Sequence, residues 1–163
     1  MLRLIYDLDH TLIDSSHRQA TLPNGDLDLA HWIENSTYAK VQQDTLLPLA
    51  EDCKRNIGRR NVEVIACTAR VMGEADHDYL LGAGLLFDRV LSRWQGCKLA
   101  DSRLKEILLW QDAMNIGISF AQYIQQSAMF DDNKNVLKRL RAIGFKCYDA
   151  ISLNETLKTR ATA

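Results

Sequence analysis

Five short apolar runs with helical patterns between them constrain this chain more than any other feature. They cover residues 2–6, 62–67, 89–92, 127–130 and 145–148, the third being the weakest. Each alone could be a strand or a piece of buried helix. The intervening segments decide. Residues 46–57 have helical spacing and stop at Gly58, and 74–81 run up to Gly82 and Gly84. Residues 101–114 set Leu104, Ile107 and Leu108 at helical intervals before Gly117. In 133–143, Val136, Leu137, Leu140 and Ile143 share one face, and Gly144 follows as a helix stop. Strands alternating with helices of this size build βαβ units, so the expected class is α/β, a parallel sheet covered on both faces.

The rest of the chain fits one domain over residues 1–163, long enough to bury a core. A 47% hydrophobic and 25% charged composition argues against wholesale disorder. The net charge of −1 excludes a protein that coats nucleic acid by bulk electrostatics, while leaving room for a local basic pocket. Cys53, Cys67, Cys97 and Cys147 form no C-x-x-C pair and are expected as reduced thiols. No apolar stretch approaches membrane-spanning length, and Asp7 and Asp9 interrupt any secretory signal, so a cytoplasmic protein with no membrane partner is expected. Residues 13–45 break the rhythm. They are polar and irregular, with a turn at Pro23-Asn24-Gly25-Asp26 between possible hairpin arms and a short helix over 28–34. This segment reads as a flap or minimal cap. The tail, 154–163, has few apolar residues and is expected to fray.

Polar groups gather where strands end. Asp7-Leu8-Asp9-His10-Thr11 directly follows the first run, Thr68-Ala69-Arg70 the second, and Asp131-Asp132 the fourth. A calcium loop starting at Asp7 is excluded, because its sixth position is Leu12 rather than Gly and its twelfth Arg18 rather than Glu. A solvated acidic turn would explain any one cluster. Three at the carboxyl ends of parallel strands instead mark the place where such sheets bind ligands. Carboxylates crowded there call for a cation, and Mg²⁺ is the natural one. Lys105 adds positive charge. Asp101, four residues earlier, can cap that helix and orient the lysine, although an exposed ion pair has the same spacing.

Taken in order, Asp7-Leu8-Asp9-His10-Thr11, Thr68, Lys105 and Asp131-Asp132 resemble the four motifs of the haloacid dehalogenase-like (HAD) phosphatase superfamily over residues 2–150. His10 stands where that pattern often has glycine. Within the superfamily, the chain is similar to the 3′-phosphatase domain of tailed-phage polynucleotide kinase. Arg18, Arg70, Asp101 and the run Lys105-Glu106-Ile107-Leu108-Leu109-Trp110 carry that likeness, while no G-x-x-x-x-G-K-[ST] occurs.

The resemblance implies a three-layer Rossmann-like fold with strand order 3-2-1-4-5, and Mg²⁺-dependent hydrolysis through an aspartyl-phosphate. Asp7 would be the nucleophile and Asp9 the general acid and base. Thr68 and Lys105 would hold phosphate oxygens, and Arg18 and Arg70 the substrate phosphate. Asp7, the Asp9 main-chain carbonyl and Asp131 would bind the metal, with Asp101 and Asp132 in support. The expected substrate is a nucleic-acid 3′ end. The alternatives are a nucleotide, as in a 5′(3′)-nucleotidase or other small-molecule phosphatase, and an idle HAD domain used only for binding.

Overall fold

The computed structural model describes residues 1–163. Its elements in chain order are β1 (Leu2–Tyr6), β2 (Ile13–Asp14), α1 (Leu29–Glu34), α2 (Tyr38–Val41), β3 (Thr45–Leu46), α3 (Leu49–Asn56), β4 (Val62–Thr68) and α4 (Glu74–Gly82). There follow β5 (Arg89–Ser92), α5 (Asp101–Asn115), α6 (Phe120–Gln125), β6 (Ser127–Asp131), α7 (Lys134–Ala142), β7 (Lys146–Asp149) and α8 (Ala150–Ala161). Five strands form one parallel sheet in the order β5-β4-β1-β6-β7, the expected 3-2-1-4-5 once β2 and β3 are set aside. No helix is long and apolar enough to cross a membrane.

Strand alternation sorts the core into two layers. Ile5, Ile65, Cys67 and Met129 face one side and pack with Leu104, Leu108 and Leu109 of α5 and Val136 and Leu140 of α7. Tyr6, Val64 and Ala66 face the other, against Leu49 and Cys53 of α3, Leu80 of α4 and Ala150 of α8. On that side Tyr6, Phe130 and Tyr148 stack across three neighbouring strands, with centroids 4.6 and 5.1 Å apart. All four cysteines are free thiols, three of them buried.

The chain leaves β1 for β4 on one side and later returns to β6 on the other. The switch point therefore lies between β1 and β6, where Asp7 N–H donates to Phe130 O at 2.9 Å. The two aspartate motifs are brought together there.

Two segments depart from expectation, the start of α3 and the tail, while the insertion keeps its expected hairpin and short helix. The helix expected over 46–57 begins only at Leu49, because Thr45–Leu46 pairs antiparallel with Ile13–Asp14 and closes the base of the insertion. Inside the insertion, Thr21 and Leu27 bridge a hairpin whose tip, Gly25, takes φ +89°. Asp28 caps α1, and Trp32 anchors the segment with 1% exposure. The tail is not frayed. Asp149 caps α8, while Ala150, Leu153 and Leu157 repeat at helical spacing against the core.

Asn154 ties α8 to the rest. It accepts from Leu49 N–H at 2.8 Å and donates to Thr11 O at 3.0 Å, both in the interior. Asn154→Ala strands both backbone groups, so denaturant unfolding should show a loss of about 2 kcal/mol. An unchanged midpoint would mean that the tail packs without this tether.

Candidate active site

Asp7 leaves β1, Asp131 ends β6, and Lys105 reaches across from α5. The Lys105 ammonium bonds Asp7 Oδ1 at 2.8 Å and Asp131 Oδ2 at 2.6 Å, so three elements meet at one buried charge. Burial opposes the charged lysine, yet Asp131 and Asp7 outweigh it and hold the ammonium well above its usual range. Thr11 Oγ1 donates to the second Asp7 oxygen at 3.4 Å. Asp131 Oδ1 accepts from Asn133 N–H at 2.9 Å, which fixes the carboxylate across the strand end.

Asp7, Asp131 and Asp132 place one ligand oxygen each within 4.8 Å of one another. Burial, with Asp7 close by, pushes both the Asp131 and the Asp132 carboxyls up, and Lys105 relieves only part of this. Hard oxygen donors that repel one another suit a divalent cation. Lys105 holds one oxygen of Asp7 and one of Asp131, and each carboxylate keeps its second oxygen off the lysine. Asp132 does not cap α7, since Asn133 takes that place by accepting from Asn135 and Val136 N–H. It is free to serve the cluster.

Asp9 belongs to a second network. Arg70 grips it bidentately, Nε to Oδ2 at 2.8 Å and Nη2 to Oδ1 at 2.6 Å, and the Ser15 hydroxyl also donates to Oδ1. Burial alone would raise this carboxyl, but Arg70 and Ser15 reverse the effect and hold it below the ordinary carboxylate range. The general-acid role expected of Asp9 needs a proton held near neutral pH, which does not match this arrangement. As placed, Asp9 is an ionised base, and it can act as an acid only when Arg70 lets go.

The two arginines expected at the substrate phosphate are turned inward. Arg18 pairs with Asp44 at 2.8 and 2.6 Å, and Arg70 extends Nη1 to Asp76 at 2.9 Å. Both guanidinium groups lie over the Trp32 ring, 4.0 and 4.7 Å from its centroid. Both are fully buried, and neither lines the cavity. Thr68 is also buried, its hydroxyl accepting from Arg70 N–H at 3.1 Å, and Ala69 takes its expected place on the cavity wall. Asp101 neither caps α5, whose N-cap is Ala100, nor bonds Lys105. It accepts instead from Leu27 N–H at 3.0 Å and Arg93 Nη2 at 2.7 Å, pinning the hairpin to the start of α5.

The resulting cavity, about 40 Å³, is lined by Asp7, Asp9, Lys105, Asp131 and Asp132 and roofed by hairpin residues that include Thr21, Gly25 and Leu27. Asn133 and Asn135 hold the hairpin tip through Gly25 O at 3.3 Å and Asn24 O at 2.7 Å. Ser15, Asp44 and Asp76 were missed from sequence. Only Asp76 had a local signal, its carboxylate closing the Gly73-x-x-Asp76 turn by accepting from Gly73 N–H at 2.9 Å.

A family model described as Bacteriophage T5 5′-deoxynucleotidase matches residues 2–163. A 5′-deoxynucleotidase of Escherichia phage T5 is 34% identical over 173 aligned residues, which cover 98% of this chain and 71% of the relative. Among solved structures, a haloacid dehalogenase-like hydrolase from Streptococcus pneumoniae superposes with a TM-score of 0.63 at 12% identity, covering 95% of this chain and 91% of that one. A chain of the Pnkp1/Rnl/Hen1 complex gives 0.61 at 18% identity, covering 91% of this chain and 46% of that one. At these identities the structural likenesses speak to the fold.

Proposed function

Because this chain belongs to the bacteriophage T5 5′-deoxynucleotidase family and is a HAD-type phosphomonoester hydrolase, we propose that it cleaves deoxynucleoside 5′-monophosphates to deoxynucleosides and phosphate. The match across nearly the whole chain carries the substrate, and the meeting of Asp7, Lys105 and Asp131 carries the chemistry. The polynucleotide 3′ end, preferred from sequence, becomes the second choice. Its remaining structural support is a likeness in fold to the Pnkp1/Rnl/Hen1 chain.

In this reading Asp7 attacks phosphorus and carries the phosphoryl group as an aspartyl-phosphate. Lys105 holds the phosphate oxygens and meets the negative charge that builds on them. Asp7, Asp131 and the Asp9 carbonyl would hold Mg²⁺, with Asp132 in support, and when bound it offsets charge between the nucleophile and the phosphate. Released by Arg70, Asp9 takes up a proton from solvent and passes it to the departing 5′ oxygen, then takes a proton from the water that hydrolyses the intermediate. Arg70 thus acts on the reaction through Asp9, and Arg18, Asp44 and Asp76 hold Arg70 in place.

Phosphate release from a deoxynucleoside 5′-monophosphate and from a 3′-phosphorylated oligodeoxynucleotide, each with Mg²⁺ and with chelator, tests the proposal. The mononucleotide should be preferred, and chelation should bring turnover to background. A preference for the oligonucleotide would reverse the substrate assignment, and activity that survives chelation would remove the metal.

A further inference from the structure

The catalytic cavity holds about 40 Å³, against the roughly 10–15 Å³ of such space that one water molecule needs. It has space for the reacting phosphoryl group, and the rest of a nucleotide must lie outside it. Asp132 also borders a second depression, of about 410 Å³, between the β1–β2 turn and α8. That is within the roughly 300–1,000 Å³ of ordinary ligand pockets. Resting on the nucleotidase reading, we propose that this groove receives the deoxynucleoside and that its charge excludes substrates carrying further phosphates.

Two features of the groove support a ligand there. His10 sits at φ +58°, a backbone conformation open to glycine and strained for a side chain. Its N–H donates to Ile13 O at 2.8 Å, which fixes the turn, while its ring, on the groove wall, bonds nothing in the protein. A glycine would make the same turn without strain, so the strained position places an unengaged imidazole beside Asp132. Opposite, Ile151, Glu155 and Lys158 recur on one face of α8, and the Glu155 and Lys158 side chains are likewise engaged by nothing. Half-exposed Ile151 offers an apolar surface to a sugar or base. The unused imidazole, carboxylate and ammonium offer donors and acceptors to a neutral, polar moiety.

The charge balance sets the limit. Asp14 and Glu155 place two carboxylates around the groove against the single ammonium of Lys158. A nucleoside brings no charge into that setting. A nucleoside di- or triphosphate, or a longer strand, would bring phosphates into an acidic rim and be repelled.

Steady-state kinetics of the full chain with Mg²⁺ on a deoxynucleoside 5′-monophosphate and on phenyl phosphate test this. His10→Gly removes the ring and relieves the backbone, so its melting temperature should not fall. Its kcat/KM for the mononucleotide relative to phenyl phosphate should drop roughly tenfold, through KM. Ile151→Trp, which fills the groove from an exposed position, should lower the same ratio. Glu155→Lys should raise turnover of a 5′-phosphorylated dinucleotide relative to the mononucleotide. If the first two variants keep the wild-type ratio while the wild type turns over mononucleotides, the groove assignment is overturned and the nucleotidase reading stands. A wild type that hydrolyses phenyl phosphate but no mononucleotide overturns both.

Discussion

Asp7→Asn should abolish phosphate release, by at least roughly 10⁴-fold, the scale on which removing a nucleophile acts elsewhere. The amide keeps the size of the side chain and an oxygen for Lys105 but cannot form the acyl phosphate. Stability should move the other way. Asp7 lies near Asp131 and Asp132, and its charge helps push both carboxyls up. Removing that charge relieves repulsion in a buried cluster, so the variant should melt no lower than wild type. Functional sites are where stability is commonly given up in this way. Covalent phosphate labelling of the Asp7→Asn chain, or a rate within tenfold of wild type, would mean that the nucleophile is another group.

Lys105→Met should damage both activity and stability. The ammonium is 3% exposed and bridges Asp7 and Asp131, so its loss leaves buried carboxylates without a counter-charge. Breaking a buried ion pair on one side costs roughly 3–5 kcal/mol, a large part of a domain's total stability. Thermal unfolding in chelator should show this loss. Added Mg²⁺ should restore much of the melting temperature, because a cation can take over the same oxygens, but not the activity, because Lys105 also serves the phosphate. Equal melting temperatures for variant and wild type in chelator would show that the bridge contributes nothing.

Much of this molecule can be read along the chain because its determinants are local. The five strands, four of the main helices and the short helix after Asp28 follow from apolar spacing and from start and stop signals within a few residues of each element. The site motifs follow because parallel strands deliver what succeeds them to one edge of the sheet. The misses follow the same logic in reverse. The two-residue strands β2 and β3 exist only through pairing between residues 31 and 33 positions apart in the chain, with Asp14 opposite Thr45 and Ile13 opposite Leu46. The tail had its own signal in Ala150, Leu153 and Leu157, hidden by a polar composition and completed by the tether at Asn154.

The amino-acid sequence thus determined the α/β class through its periodicity, while the resemblance carried by its ordered motifs implied the strand order and the gathering of Asp7, Lys105 and Asp131. Only the tertiary structure decided what the other charged groups do. Arg18 and Arg70 look like phosphate ligands in a sequence, because a guanidinium suits a phosphate and a carboxylate equally well. Folding brings Asp44, Asp76 and Asp9 against them, and once buried they take the nearest fixed anions. The grip of Arg70 on Asp9, the place of Asp101 under the hairpin and the groove beside α8 were settled likewise. Each depends on which distant side chains share a small, poorly solvated volume, and that is a property of packing rather than of any local run of residues.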